Sequence, residues 1–281
     1  MNLQLSFPTS LHQEAAELAR DFFLQQTCVD TVLVVNSCAR GQATPESDLD
    51  MAILVKPGTA DDEFQHVEAL WQQIMGSDPL LARFRASHRF AHLHLDLIRG
   101  QYTPTVWDDG GGPDSFEIEV GNQIAYSAPF NAAPSPAPSA MNARSADSAI
   151  PSSGLYFQEL QAHWLPYYNE ALRLQRLPMI YSACANDLEH VPYFVRRELY
   201  FQAFDRLYRA FQEFLQGLFI AQRVYPLAYN KWIRLQVESW LGLPELYCEL
   251  PLILSIQKLE SDELSTRAQH LQTLLDAWVH V

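Results

Sequence analysis

The sequence predicts an α+β N-terminal domain built on a mixed sheet, followed by an all-α helical bundle. A β-branched run at 31–35 and a second predicted strand at 49–55 are interleaved with helical patterns at about 10–26 and 61–75. Strands that alternate with helices are typical of a sheet covered by helices. Beyond residue 155, apolar residues recur every three or four positions, which predicts helices packed against one another.

Two further elements are predicted for the N-terminal sheet. Residues 90–98 alternate by twos, as in a half-buried strand. Residues 116–126 are predicted to form a β-hairpin that turns at Gly121. Glu117 and Glu119 of this hairpin share a face, and we expect them to be solvated, with a catalytic base as the alternative role for one of them.

A segment rich in small residues and proline separates the two halves of the chain. Residues 127–154 contain 20 Ser, Ala or Pro among 28 positions, and such a composition buries too little surface to offset the entropy of ordering. We therefore predict a domain over 1–126, a linker or long surface loop over 127–154, and a helical domain over 155–281. The main helix of the last part is expected at about 191–223, with Pro192 in its first turn.

Charge and apolar content exclude several classes of partner. The 281 residues carry 19 Lys and Arg against 33 Asp and Glu, for a formal net charge of −14, whereas nucleic acids and anionic membranes are bound by clustered basic side chains. No apolar run approaches the ~20 residues needed to span a bilayer, and the first residues lack the pattern of a signal peptide. Four widely spaced cysteines are typical of reduced thiols, so we expect a cytoplasmic protein.

The chemically informative stretch lies between the first two strands. The turn N-S-C-A-R-G at 36–41 is followed six residues later by D-L-D, whose carboxylates belong to Asp48 and Asp50. Residues two apart on a strand share a face, so these two acids project together. Paired carboxylates are oxygen ligands suited to Mg²⁺, which also takes water and phosphate oxygens. Ser37 and Arg40 offer a hydroxyl, backbone amides and a guanidinium fork to phosphate oxygens.

A third acid lies on the next strand. In H-L-H-L-D-L at 92–97 the leucines share one face, whereas His92, His94 and Asp96 share the other. If this strand neighbours 49–55, Asp96 completes a set of three carboxylates. Such a set can hold two metal ions, one that clamps a triphosphate and one that activates an attacking hydroxyl. Asp96 is also a candidate general base for that hydroxyl.

These motifs resemble those of the nucleotidyltransferase superfamily with a DNA polymerase β-type palm. The family pattern is a strand, Gly-Ser, roughly ten residues, Asp-x-Asp or Asp-x-Glu, and a later strand Asp; here ten residues separate Ser37 from Asp48. More narrowly, the chain is similar to small bacterial enzymes that adenylylate aminoglycosides and lincosamides. The resemblance covers about residues 30–98 strongly and the C-terminal bundle weakly.

The resemblance implies an activity that depends on Mg²⁺, with a two-metal site, and on ATP or another nucleoside triphosphate as donor. Ser37 and Arg40 would hold the triphosphate. Asp48 and Asp50 would hold the metal ions, and Asp96 would serve the second metal ion or the acceptor hydroxyl. The acceptor would be a small hydroxylated molecule.

By the same resemblance the C-terminal bundle would be the substrate-binding domain. Lys231, predicted to open a helix after a Pro-containing turn, is the candidate that reaches the triphosphate, and otherwise it is a solvated lysine of a first helical turn. The alternative function is a toxin–antitoxin-type or regulatory module that modifies or binds a partner protein, because small palms of this type also occur in that setting.

The pattern H-x-H-x-D admits a second interpretation, since it also opens the metal motif of metallo-β-lactamase-type hydrolases. That motif continues with another His directly after the Asp, and position 97 is Leu in this sequence. We therefore interpret His92 and His94 as groups behind the ligands or as ordinary residues of a strand face.

One position departs from the family pattern. Asn36 stands where the family has the Gly before Ser. Gly permits a positive φ, and Asn is among the few other residues that tolerate the left-handed region. If the turn before Ser37 requires a positive φ, we expect Asn36→Gly to be tolerated and Asn36→Val to weaken nucleotide binding, with the Asn36 side chain near the phosphates.

Overall fold

The structure is a computed structural model, and the residues that it describes are 5–100, 127–132, 153–164, 170–227 and 229–280. These residues divide into two compact units, one that ends at His163 and one that begins at Trp164. The predicted hairpin at 116–126, with Glu117 and Glu119, lies outside the described residues. Most of the predicted linker also lies outside them.

The first unit is built on a four-stranded mixed sheet. Its strands are β1 (Val29–Val34), β2 (Leu49–Val55), β3 (Leu93–Ile98) and β4 (Ala128–Pro129), and their order is β3-β2-β1-β4. β1 is antiparallel to β2 and β4, whereas β2 and β3 are parallel. The predicted mixture of helices with a mixed sheet is confirmed. β2 has its predicted bounds, and β3 begins at Leu93 rather than at residue 90.

Helices pack on one face of this sheet and form the core of the first unit with it. They are α1 (Ser10–Phe23), α2 (Asn36–Ala39), α3 (Asp61–Ser77) and α4 (Pro79–Ser87). Alternate strand residues such as Val32 and Met51 are buried in the same cluster as Phe23 of α1 and Trp71 of α3. The apolar stripes of the helices therefore cover the face of β1 and β2 that the period-two pattern predicts.

The opposite face of the sheet is covered by α5 (Leu155–Trp164). Leu54 of β2 is buried on this face, and the side chains of Leu54 and Leu160 both lie against Gly100. Because both faces of β1 and β2 are covered, these strands are almost continuously apolar.

Asp30 of β1 fixes the position of α5. Its Oδ1 accepts a hydrogen bond from the backbone N–H of Tyr156 over 3.1 Å, and its Oδ2 accepts one from that of Phe157 over 3.0 Å. A carboxylate in this place satisfies N–H groups that have no partner within the helix and interacts favourably with the helix dipole. α5 is thereby capped by the sheet on which it lies.

Two stretches near the predicted domain boundaries belong to the first unit. Residues 128–129, within the predicted linker, form β4, and the neighbouring Asn131 side chain accepts from Val32 N over 2.8 Å and donates to Asp30 O over 3.0 Å. The sequence also predicts residues from 155 onward as part of the bundle, whereas α5 packs on the sheet. Composition and periodicity do not show which surface an apolar helix face will cover.

The regular elements described in the second unit are all helices. They are α6 (Glu170–Val195), α7 (Tyr200–Gln222), a π-helix (Leu235–Trp240), α8 (Pro244–Ile253) and α9 (Glu263–Trp278). α7 is the central helix, because every residue from 213 to 220 is buried. It packs so closely that a Cβ on Gly217 would meet Val279 Cγ1 at 2.8 Å. Only glycine fits that contact without movement of the neighbouring side chain.

The single helix predicted at 191–223 is two helices in the structure. α6 and α7 are separated by the turn 196–199, and Pro192 lies in the last turn of α6 instead of in a first turn. Glu198 within the turn adopts a positive φ of +59°, which reverses the chain. The prediction was wrong here because the turn contains no Gly or Pro, the residues that ordinarily mark such a break.

All four cysteines are free thiols, and three of them, Cys28, Cys38 and Cys184, are buried. Among the helices of the described residues, none combines the length and apolar character required to cross a membrane.

Candidate functional site

The turn after β1 carries the predicted phosphate ligands. It forms the short helix α2, in which Asn36 has a φ of +54°, the left-handed conformation that Asn tolerates and β-branched residues avoid. Cys38 is buried below the turn, and its carbonyl accepts the backbone N–H of Ser6 over 3.0 Å. Ser37 and Arg40 are half-buried at the surface of this turn.

Gln42 makes two hydrogen bonds to the turn, one through its backbone and one through its side chain. Its backbone N–H donates to the Ser37 carbonyl over 2.9 Å, and its side-chain Oε1 accepts from Arg40 Nε over 3.1 Å. The side-chain amide of Gln42 therefore orients the guanidinium of Arg40 at its Nε.

The two predicted acidic ligands lie at the start of β2. Leu49 is fully buried, so Asp50 projects to the opposite face, and Asp48 immediately precedes the strand. Leu49 N donates to the His92 carbonyl over 2.9 Å, and Val35 N donates to the Asp50 carbonyl over 3.0 Å. Backbone hydrogen bonds to both neighbouring segments therefore hold the main chain that carries the acids.

A buried histidine supports the backbone in front of Asp48. His12 of α1 is only 1% exposed, and its Nε2 lies 3.0 Å from the Ser47 carbonyl oxygen, to which it donates. Its Nδ1 lies 2.7 Å from Thr9 Oγ1. Sequence reasoning missed His12, although the signal was present, because this histidine shares one helical face with three buried alanines: Ala15, Ala16 and Ala19.

β3 lies beside β2, as the predicted site requires, but its register brings His94 to the two acids. His94 is paired with Asp50, and Asp96 with Ala52. One ligand atom from each of Asp48, Asp50 and His94 lies within 4.8 Å of the others. His94 Nε2 is 3.8 Å from Asp48 Oδ2.

Asp96 is on the same face of the sheet, two residues further along β3, and is exposed. The cluster in the structure is therefore Asp48, Asp50 and His94, in place of the predicted set of three carboxylates. Alternation along β3 is correctly predicted, but it leaves His92, His94 and Asp96 equivalent, because only the pairing of the strands selects which of them meets the acids.

Comparisons with protein-family models, with curated proteins and with solved structures found no match for this chain. The chemistry of the site follows from its donor atoms. Two carboxylates and an imidazole nitrogen can together ligate a divalent cation. The side chains of Asp48 and His94 are 45% and 59% exposed, so the cluster is accessible to an ion from solution.

Charges at the site also act on the buried thiol below it. The pKa of Cys38 is raised to about 12, first by burial and then by the negative charges of Asp50 and Asp48. Cys38 is therefore a neutral thiol at physiological pH and adds no thiolate ligand to the cluster.

Lys231 belongs to the second unit, and its predicted place at the start of a helix is wrong. The residue is exposed in a bend, Trp232 after it has a φ of +57°, and helical backbone begins at Ile233. Its carbonyl accepts from Gln236 Nε2 over 2.7 Å, which ties the bend to the π-helix that follows. The contact of Lys231 with a triphosphate stays a prediction.

Proposed function

We propose that the protein is a metal-dependent nucleotidyltransferase that moves a nucleoside monophosphate, AMP from ATP in the first instance, onto a hydroxyl of a small-molecule acceptor. The observation that carries the proposal is the convergence of Asp48 and Asp50 with the turn that holds Ser37 and Arg40. β1 ends and β2 begins at the same edge of the sheet, because Val34 pairs with Met51.

The donor set fits the ion that this reaction needs. Asp48 and Asp50 would hold a divalent cation, which when bound neutralises charge on the phosphates and on the attacking oxygen. Ser37 would donate its hydroxyl to a phosphate oxygen, and Arg40 would supply the planar donors that match phosphate geometry. Catalysis of this kind is positioning and charge stabilisation, for which a rigid sheet edge is suitable.

The transfer itself balances with groups of this chain. The acceptor oxygen attacks the α-phosphorus, the bond from that phosphorus to the bridging oxygen of the β-phosphate breaks, and pyrophosphate leaves. The hydroxyl proton passes to a carboxylate, for which Asp96 is the candidate, because it lies on the same face as Asp50 and is exposed.

The test is metal-dependent release of pyrophosphate from each of the four nucleoside triphosphates, with panels of hydroxylated small molecules and of proteins as acceptors. Asp48→Asn and Asp50→Asn should abolish release, whereas Glu68→Gln, an exposed acid of α3, should leave it unchanged. Release with protein acceptors alone would favour the regulatory alternative. Absence of release from every nucleotide, with Mg²⁺ and with Mn²⁺, would contradict the proposal.

A further inference from the structure

The cluster at the start of β2 includes a nitrogen donor, which changes the ion that it should select. We propose that Asp48, Asp50 and His94 together bind a divalent transition-metal ion in preference to Mg²⁺, with His94 Nε2 as a direct ligand. This inference rests on the proposed function only in that both concern the same site, and it names the ion that the site binds.

The selectivity follows from the chemistry of the donors. Mg²⁺ prefers oxygen ligands in near-octahedral geometry and keeps several waters, so an imidazole adds little to its affinity. Imidazole nitrogen binds first-row transition metals well, and affinity at such mixed sites rises from Mn²⁺ toward Cu²⁺. A site of two carboxylates alone would bind Mg²⁺ and Mn²⁺ with similar affinity. The imidazole of His94, as a third ligand, raises the affinity for Mn²⁺ relative to that for Mg²⁺.

The distances suit one ion. Oxygen and nitrogen ligands lie about 2.0 to 2.2 Å from such ions, so two ligands of one ion are at most about 4.4 Å apart. The 3.8 Å between His94 Nε2 and Asp48 Oδ2 is within that limit. The upper limit of 4.8 Å for the whole cluster is slightly larger, and a small rotation of the exposed His94 side chain can close the difference.

A structural ion pair does not account for this arrangement. At 3.8 Å the His94 and Asp48 side chains are beyond hydrogen-bonding distance, and both are largely exposed. Ion pairs between exposed side chains contribute little to stability. The backbone below them is nevertheless fixed, because Leu49 and Leu93 are paired and buried under the two side chains. The ligand side chains are therefore carried by a rigid main chain.

The experiment measures metal binding to the full chain without any nucleotide. Mn²⁺ is the probe, detected by electron paramagnetic resonance and displaced by Mg²⁺. Wild type should bind Mn²⁺ at least about tenfold more tightly than Mg²⁺. His94→Asn should reduce Mn²⁺ affinity about tenfold or more and leave Mg²⁺ affinity nearly unchanged, because loss of a direct ligand costs at least as much as loss of a group behind it.

Two matched variants sharpen the result. His66→Asn changes an exposed histidine of α3, which is outside the cluster, and should bind both ions as wild type does. His94→Asp replaces nitrogen by oxygen and should shift the preference toward Mg²⁺. A nitrogen coupling in the pulsed spectrum of bound Mn²⁺ should be present in wild type and absent in His94→Asn.

Equal affinity of wild type for Mn²⁺ and Mg²⁺ would overturn the inference. An unchanged nitrogen coupling in His94→Asn would overturn it too. These failures differ from failure of the proposed function. If Mn²⁺ binds through His94 but no nucleotide releases pyrophosphate, only the proposed function fails, and if release proceeds while His94→Asn binds Mn²⁺ normally, only this inference fails.

Discussion

The Asn36 side chain donates a hydrogen bond from Nδ2 to Oδ2 of Asp50 over 3.0 Å. Asn36 thus has two roles, since its backbone also takes the positive φ that shapes the turn. Its side chain thus contacts a candidate metal ligand. The sequence predicts this side chain near the phosphates and does not predict the contact with Asp50. The turn after β1 and the start of β2 are joined through this contact.

The two roles of Asn36 can be separated by substitution. Asn36→Gly keeps the backbone conformation and removes the hydrogen bond, so the melting temperature should change little while metal affinity falls by up to about tenfold. Asn36→Val should weaken metal binding as well and should also cost about 1–3 kcal/mol of stability, because a β-branched residue is strained at this φ. Thermal melts and calorimetric metal titration measure both effects. Equal melting temperatures of the two variants would show that the fold does not require a positive φ at position 36.

His12 is predicted to position Asp48 through the Ser47 carbonyl. His12→Leu removes the donor and leaves a carbonyl without its partner, which should cost about 1–3 kcal/mol in urea unfolding. His12→Gln keeps a donor at similar reach and should recover much of that loss. Metal titration separates positioning from stability, because Ser47 directly precedes Asp48. A His12→Leu protein that is less stable but binds metal as wild type does would show a structural role alone.

The cap of α5 gives a third prediction. Both oxygens of Asp30 accept N–H groups of the first turn of α5. Asp30→Ala should lower the free energy of unfolding by about 0.5–2 kcal/mol, and Asp30→Asn by less, since its amide oxygen can still accept. Exchange of the α5 backbone amides with deuterium should accelerate in the same order. Asp21→Ala, an exposed acid of α1, is the control and should leave that exchange unchanged.

Much of the first unit could be predicted because local signals agree with the tertiary structure. β2 has the predicted bounds, since its apolar run is interrupted only by Asp50, near its start. α1 begins at the predicted residue because Thr9 caps it, with Thr9 Oγ1 accepting from His12 N over 3.3 Å. The pairing of β3 with β2 joins residues more than forty positions apart, so no local pattern could have preferred His94 over Asp96.

Glu213, in the second unit, is another residue whose tertiary environment the local sequence pattern does not predict. Apolar residues recur every three or four positions along α7, and Glu213 falls outside the stripe that they form, which predicts a solvated side chain. The residue is nevertheless only 9% exposed, because other helices pack around this part of α7 as well. The nearby charged groups are Asp187 of α6, which is paired with Arg206, and Arg206 and Arg209 of α7 itself. Glu213 Oε2 has no hydrogen-bond partner among the described residues.

This environment makes folding depend on pH through Glu213. The pKa of its carboxyl is raised from 4.5 to about 8, first by burial and then by the charge of Asp187, against the lowering effect of Arg206 and Arg209. Below about 4.5 the group is protonated in both states. Between these values the folded protein keeps the proton that the unfolded chain releases, so stability falls as pH rises to about 8.

Glu213→Gln should remove this dependence, because the amide is neutral at every pH. The variant should therefore gain stability relative to wild type as pH rises through about 8, by an amount on the order of a few kcal/mol. Urea unfolding followed by circular dichroism, at one pH near 4.5 and one above 8, measures the change. Glu189→Gln, at an exposed position of α6, is the control, and its free energy of unfolding should match that of wild type at both pH values. If the free energy of unfolding of Glu213→Gln changes with pH as that of wild type does, then Glu213 is ionised in the folded protein. The neighbouring arginines must in that case compensate for the burial of its charge.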